Sequence, residues 1–271
     1  MKLYNQNIMK RSNIKFGMMN HPAKDTIAEI YKAAELGFDY IDLTLEPPCA
    51  GTERFNFKEV KKAIDINGLG IVGHTGWHLN AEAAYPEVRK GVGDSMLWAA
   101  KEFSKLGAKY FTYHIRGMAA RYIGLKHSIK SQVEVLKRVS DKSNKMGIKL
   151  VIEHVTGYKD QFEILDNFFK KIPKLGFHLD VGHANISGSN KNMTPEFLSR
   201  YGRRLTHVHF SDNRGRTDDH LPLGVGNIDW KKITDSLKRI DYCGTITLEV
   251  FSEDDDYVKL SLKKARTWFS E

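Results

Sequence analysis

The stretch HVHFSDNRGRTDDH, residues 207 to 220, sets His207, His209, Asp212, Asp218, Asp219 and His220 around two arginines, Arg214 and Arg216. Imidazole and carboxylate donors at that density suit a divalent metal or proton transfer, and equally a solvated polar loop. Further ionisable residues recur at the ends of short apolar runs elsewhere: His74 in GIVGHTG, His114 in AKYFTYHI, Glu153 in IKLVIEHV, Asp180 and His183 in GFHLDVGH, and Glu249 in TITLEVF. If these runs are strands, alternation puts His178 with Asp180, His207 with His209, and Thr247 with Glu249 on shared faces.

Glu153, Asp180 and Glu249 on converging strands demand a cation, because an unpaired buried carboxylate costs several kcal/mol. Lysine and arginine do not supply it. Lys149 shares the face of Glu153 but stands roughly 13 Å away along the strand. A divalent ion held by Glu153, Asp180, His209 and Glu249 satisfies the set, and oxygen with imidazole donors suggests Mn, Zn, Co, Mg or Fe rather than a soft, thiolate-seeking ion. Other polar residues have plainer readings beside functional ones. By parity His154 points to a helix layer, and His178 and His207 sit one step deeper as core or supporting groups. Asp212 either orients an imidazole or caps a turn, and Asp219 is solvated. Trp77 and His78 either wall a pocket or pack. Gly224 and Gly226 either let the backbone approach a phosphate or form the turn before a helix near Asp229.

The elements that must position these groups form a repeat. Strand-like runs begin at Ile14, Phe38, Gly70, Ala108, Ile148, Gly176, Arg204 and Thr245, and amphipathic segments such as DTIAEIYKAAELG, KEVKKAIDING, DSMLWAAKEFSKLG, SQVEVLKRVSDKSNKMG and DQFEILDNFFKKI lie between them. A last segment, DDDYVKLSLKKARTWFSE, follows the eighth run with its acidic residues first, as the helix dipole favours. Eight strand and helix alternations predict a single (β/α)8 TIM barrel over residues 1–271, whose chemistry belongs at the C-terminal ends of the strands. A doubly wound open sheet is the alternative, but HPAKD after the first strand is not its glycine-rich phosphate loop.

Composition fits such a globule: 271 residues are 41% hydrophobic and 28% charged, which leaves no apolar run long enough to span a bilayer. The opening MKLYNQNIMKRSN lacks the apolar stretch of a signal peptide, so the expected compartment is the cytoplasm. Cys49 and Cys243 form no CxxC pair and no disulfide framework. The net charge of +9 suits a polyanion such as DNA or a phosphorylated substrate, or simply a lysine-rich surface. No run of five basic residues marks a nucleic-acid tail.

VIEH at Val151, HLDVGHAN at His178, HVHFSDNRG at His207, DDHLPLGVGNIDW at Asp218 and TLEV at Thr247, in that order, resemble the xylose isomerase-like barrel superfamily, which holds sugar phosphate isomerases and epimerases and the type IV AP endonucleases. In the isomerase branch the resemblance implies one divalent metal on Glu153, Asp180, His209 and Glu249. It implies substrate contacts from His183 and from Arg214 or Arg216, and a small sugar or sugar phosphate as ligand; His114 and Trp77, from their places at and beyond the strand ends, are further candidate substrate contacts. Glu153 and Glu249 would exchange a proton next to a carbonyl on opposite faces of an enediolate. Where ketose 3-epimerases carry a further glutamate after the strand-five ligand, this chain has Gly157, Tyr158 and Lys159, which counts against that particular activity. In the nuclease branch the resemblance implies three zinc ions on His74, His114, Glu153, Asp180, His183, His209, Asp218, His220 and Glu249, and DNA as substrate. Against the nuclease stand His178 and Gly182, where its pattern has cysteines, a shorter loop from His209 to Asp218, and no run of basic and aromatic residues to grip a duplex.

Overall fold

A computed structural model describes residues 14–51, 55–115, 120–155, 160–186 and 191–270. The opening thirteen residues and Gly157, Tyr158 and Lys159 lie outside them. Eight parallel strands, β1 (Lys15–Met19), β2 (Tyr40–Leu45), β3 (Gly70–Thr75), β4 (Tyr110–His114), β5 (Lys149–Glu153), β6 (Gly176–Asp180), β7 (Leu205–Phe210) and β8 (Thr245–Leu248), pair in sequence order. β1 closes on β8, so the structure is a single (β/α)8 TIM barrel.

The helices are α1 (Thr26–Glu35), α2 (Phe57–Ile66), α3 (Pro86–Leu106), α4 (Ala120–Ile123), α5 (Leu125–Lys145), α6 (Gln161–Lys171), α7 (Val181–Asn185), α8 (Thr194–Tyr201), α9 (Trp230–Arg239) and α10 (Asp255–Ser270). Their apolar stripes cover the outer faces of the strands. Phe177 of β6, for example, packs against Phe169 of α6 and Phe197 and Tyr201 of α8. Among the described residues no helix is long and apolar enough to cross a membrane.

Two details of the framework decide where the polar side chains go. β7 takes one extra residue opposite the Phe177/His178 step, so Leu205 pairs with Phe177 on the outer face while His207 and His209 pair with His178 and Asp180 inside. Asp180 then ends β6 and caps α7 at once, its Oδ1 accepting the His183 N–H at 2.5 Å. That cap is why VGHAN turns into a helix instead of extending the strand. α3 also starts earlier than its sequence suggests, at Pro86 rather than Asp94: Pro86 suits the first turn, and Gly91 and Gly93 lie within the helix.

Candidate metal centre

Four strand ends bring their ligand-type residues to one point at the C-terminal mouth. Glu153 ends β5, Asp180 ends β6, His209 is one residue from the end of β7, and Glu249 follows β8. One ligand atom each from Glu153, Asp180 and His209 falls within a 4.8 Å cluster. The His209 Nδ1 stands 2.9 Å from the Glu249 Oε2 and 3.7 Å from the Asp180 Oδ2. Glu153, Asp180 and His209 are buried, yet among the described residues both Glu153 oxygens and the Asp180 Oδ2 lack a hydrogen-bond donor of acceptable geometry. Orphaned carboxylate oxygens in an interior are costly, and a divalent cation is the partner their chemistry suits. The residues therefore fit the metal that the sequence implies.

The local fields act differently on the three carboxylates. Burial, the largest influence, and the neighbouring Glu249 push the Asp180 carboxyl up to about 6 against the pull of His183. Glu249 is itself held at about 2: burial opposes this, and the His220 and His209 imidazoles outweigh it. Burial likewise opposes the ionised form of Glu153, but His114 and His178 carry that carboxyl well below its usual range. The His74 imidazole is driven down to about 4 by burial and by His114.

Around this floor lies a mouth cavity of about 340 Å3, lined by residues that include His74, Trp77, His114, His183, Asp218, His220 and Glu249. The His74 Nε2 and His114 Nε2 lie 3.4 and 3.1 Å from the same Glu153 oxygen. The His183 Nδ1 donates to the His154 carbonyl at 2.9 Å, which turns its Nε2 to Asp218 at 3.0 Å, while the His220 Nε2 lies 3.5 Å from that Asp218 oxygen. Trp77 leaves its indole 59% exposed at the rim. Its backbone N–H is held by Glu46, a lining residue that strand-end counting did not single out. Arg214 and Arg216 are exposed and absent from the lining. A wider surface hollow, about 990 Å3, opens between α2 and α3 beside Phe57 and Lys61, away from every group above.

The supporting residues resolve several open alternatives. His154 lies under α8, stacked on Phe197 and accepting the Asp180 backbone N–H, so it is a core group. Among the described residues Asp212 touches no imidazole by hydrogen bond. It accepts from the Gly224 and Ile228 N–H groups and the Trp230 Nε1, and so clamps the loop that carries Asp218 and His220. Gly224 (φ +85°) spends its amide on that clamp, and Gly226 passes where a Cβ would strike Asp212 and Asn213, so this is the turn before α9.

One buried carboxylate escaped the sequence reading. Asp42, mid-strand in β2, is fully buried, and its Oδ2 accepts from the His207 Nε2 at 2.8 Å, the His209 Nε2 at 2.9 Å and the Thr247 Oγ1 at 2.8 Å. The signal was present: in YIDLTL an aspartate shares the inner parity with Tyr40 and Thr44 in an otherwise apolar strand.

The profile of the xylose isomerase-like TIM barrel family matches residues 30–270. An uncharacterised protein of Methanocaldococcus jannaschii is 27% identical over 231 residues, which cover 80% of this chain and 76% of that one. A ketose 3-epimerase of Arthrobacter globiformis is 26% identical over 235 residues, 82% of this chain and 76% of its own. Among solved structures, a D-tagatose 3-epimerase-like protein superposes with a TM-score of 0.80 at 25% identity, covering 94% of this chain and 96% of that one. With its closed barrel, its ligand-type strand ends and a profile match over nearly its whole length, this chain belongs to the xylose isomerase-like TIM barrel family.

Proposed function

We propose that this chain is a divalent-metal-dependent sugar or sugar-phosphate isomerase or epimerase. The observation that carries the reading is the convergence of Glu153 and Glu249, from strands three apart around the barrel, on the same centre as Asp180 and His209. A divalent ion held by these four residues would polarise the oxygens of a bound sugar and make the hydrogen on the carbon beside its carbonyl acidic enough to remove. Glu153 and Glu249, both held ionised at neutral pH, approach from different sides as bases. His114, 3.1 Å from Glu153, and His220, 3.8 Å from Glu249, stand beside the two carboxylates. A volume of about 340 Å3 lies at the small-ligand end of binding pockets, where a monosaccharide belongs. Trp77 offers its apolar face, and His183 and Asp218 meet the hydroxyls. The epimerase names carried by the relatives support the same chemistry.

The test is solvent exchange. Wild-type protein loaded with Mn2+ or Co2+ is incubated with a panel of ketoses and ketose phosphates in deuterated water, and incorporation of deuterium at a carbon-bound position is followed by NMR. Glu153→Gln and Glu249→Gln are expected to slow it by about 10²- to 10⁴-fold, the share a positioned base supplies. A metal-loaded wild type that exchanges no sugar carbon overturns the reading.

A second reading rests on two further clusters, His74 with His114 and Glu153, and His183 with Asp218 and His220. They supply places for two more ions in a hydrolase of DNA at abasic sites. Metal analysis separates the readings: about one ion per chain accompanies the isomerase, whereas three, together with nicking of an abasic duplex, accompany the nuclease.

A further inference from the structure

Asp42 lies on the Nε2 side of His209, and its Oδ2 contacts two imidazole rings and one hydroxyl. Its Oδ2 receives three donors, while its Oδ1 stands 3.8 Å from the His74 Nδ1 with no hydrogen bond. The donors themselves are fixed from below. The Thr247 hydroxyl, which gives its proton to Asp42, accepts from the Tyr40 hydroxyl at 2.9 Å. His207 gives its Nε2–H to Asp42 and takes the Thr245 hydroxyl on its Nδ1 at 2.7 Å, and Thr245 is held in turn by Tyr110. The carboxylate therefore cannot rotate away without breaking three buried hydrogen bonds on its Oδ2, while its Oδ1 stays open toward His74.

We infer that Asp42 is a positioning residue for the metal centre: it keeps a proton on the His209 Nε2, so that the Nδ1 lone pair faces Asp180, Glu249 and Glu153. This rests on the metal reading above. A neutral imidazole carries one ring proton, and without an acceptor at Nε2 that proton is free to sit on Nδ1, hydrogen-bonded to Glu249 at 2.9 Å, where it blocks coordination. Asp42 removes that alternative and makes the ring a stronger donor. His207 cannot substitute for His209 as a ligand, because both of its nitrogens are already engaged in the layer below.

The test uses the full chain and Zn2+ as probe. Asp42→Asn keeps the shape and removes the charge, and Thr247→Val removes one donor to Asp42 but leaves both imidazole contacts. Zn2+ affinity, measured by competition with a chromophoric chelator, is expected to fall about 10- to 100-fold in D42N, the usual effect of losing such a partner, and to stay near wild type in T247V. NMR of 15N-histidine-labelled, Zn2+-loaded wild type, with the ring assigned by its loss in His209→Gln, should show Nδ1 coordinated and Nε2 protonated. This measurement needs no Asp42 variant to fold. A ring coordinated through Nε2, or a folded D42N that binds Zn2+ as tightly as wild type, overturns the inference alone. Wild type that takes up no Zn2+ overturns the metal reading, and the inference with it.

Discussion

Below the mouth, the barrel interior is laced by hydrogen bonds, Tyr40 to Thr247, Thr247 to Asp42, Tyr110 to Thr245, Thr245 to His207, and Thr112 to His178, although the Asp42 Oδ1 and the His178 Nε2 have no partner among the described residues. Two residues further along the same strands, Glu153, Asp180 and Glu249 crowd together, and among the described residues three of their oxygens have no donor. The two layers have similar burial and similar residue types. They differ in degree: among the described residues the lower layer leaves one carboxylate oxygen unmatched and the upper one three, and a cluster of unmatched carboxylate oxygens suits a ligand that finishes it. The lower layer is structure; the upper one is a binding site whose cost appears whenever the ligand is absent.

The largest expected effect tests that cost. The Asp180 carboxyl sits above its ordinary 3.8, at about 6, chiefly through burial, so in the metal-free protein its contribution to stability is full below pH 4 and lost as pH rises to 6. Asp180→Asn has no proton to lose and still accepts the His183 N–H through Oδ1. At about 1.4 kcal/mol per pKa unit, metal-free D180N should therefore exceed metal-free wild type by roughly 3 kcal/mol at pH 7.5 and by little at pH 4, read from urea melts of chelator-treated protein. Added metal should reverse the order, because only wild type retains its ligand set. If metal-free D180N is the less stable protein at pH 7.5, the upper layer is not strained in the way described.

A smaller change in the lower layer should do the opposite. Tyr40→Phe deletes a buried hydroxyl whose partner among the described residues is Thr247 and leaves that oxygen without its donor. The expected loss is about 1 kcal/mol, with metal affinity unchanged. A loss of metal binding in Y40F that matches the one expected of D42N would merge the two layers into one unit.

The same contrast explains what the sequence made legible. The eight strands were readable because each is a short apolar run whose far end is polar, and Glu153, Asp180, His209 and Glu249 were readable because they end such runs. Asp42 was not, because it lies mid-strand and its role depends on β7 and β8, more than 160 residues away in sequence. α7 was hidden for a different reason: Val181, Gly182 and His183 look like strand continuation, and only the cap that Asp180 provides turns them into a helix. The alternation of His207 and His209 came out right through an extra residue in β7 that no periodicity shows.

The rim offers the smallest effect and the sharpest use of the comparison. Arg214 and Arg216 are the residues that the sequence sets beside the site as substrate contacts, yet both are exposed and outside the cavity lining, while Asp218 and His220 of the same loop are inside it. The Asp212 clamp holds this loop by three donors, so its position is fixed by the barrel rather than by a ligand. Exposed substitutions away from packed features change free energies by within about 0.5 kcal/mol, so Arg214→Ala and Arg216→Ala should each leave KM for the exchanging sugar within roughly twofold. A tenfold rise would mean that the arginines fold over the mouth once it is filled. Were that rise confined to phosphorylated sugars, it would also identify the charge they meet, because a neutral ketose gives a guanidinium no anion to bind.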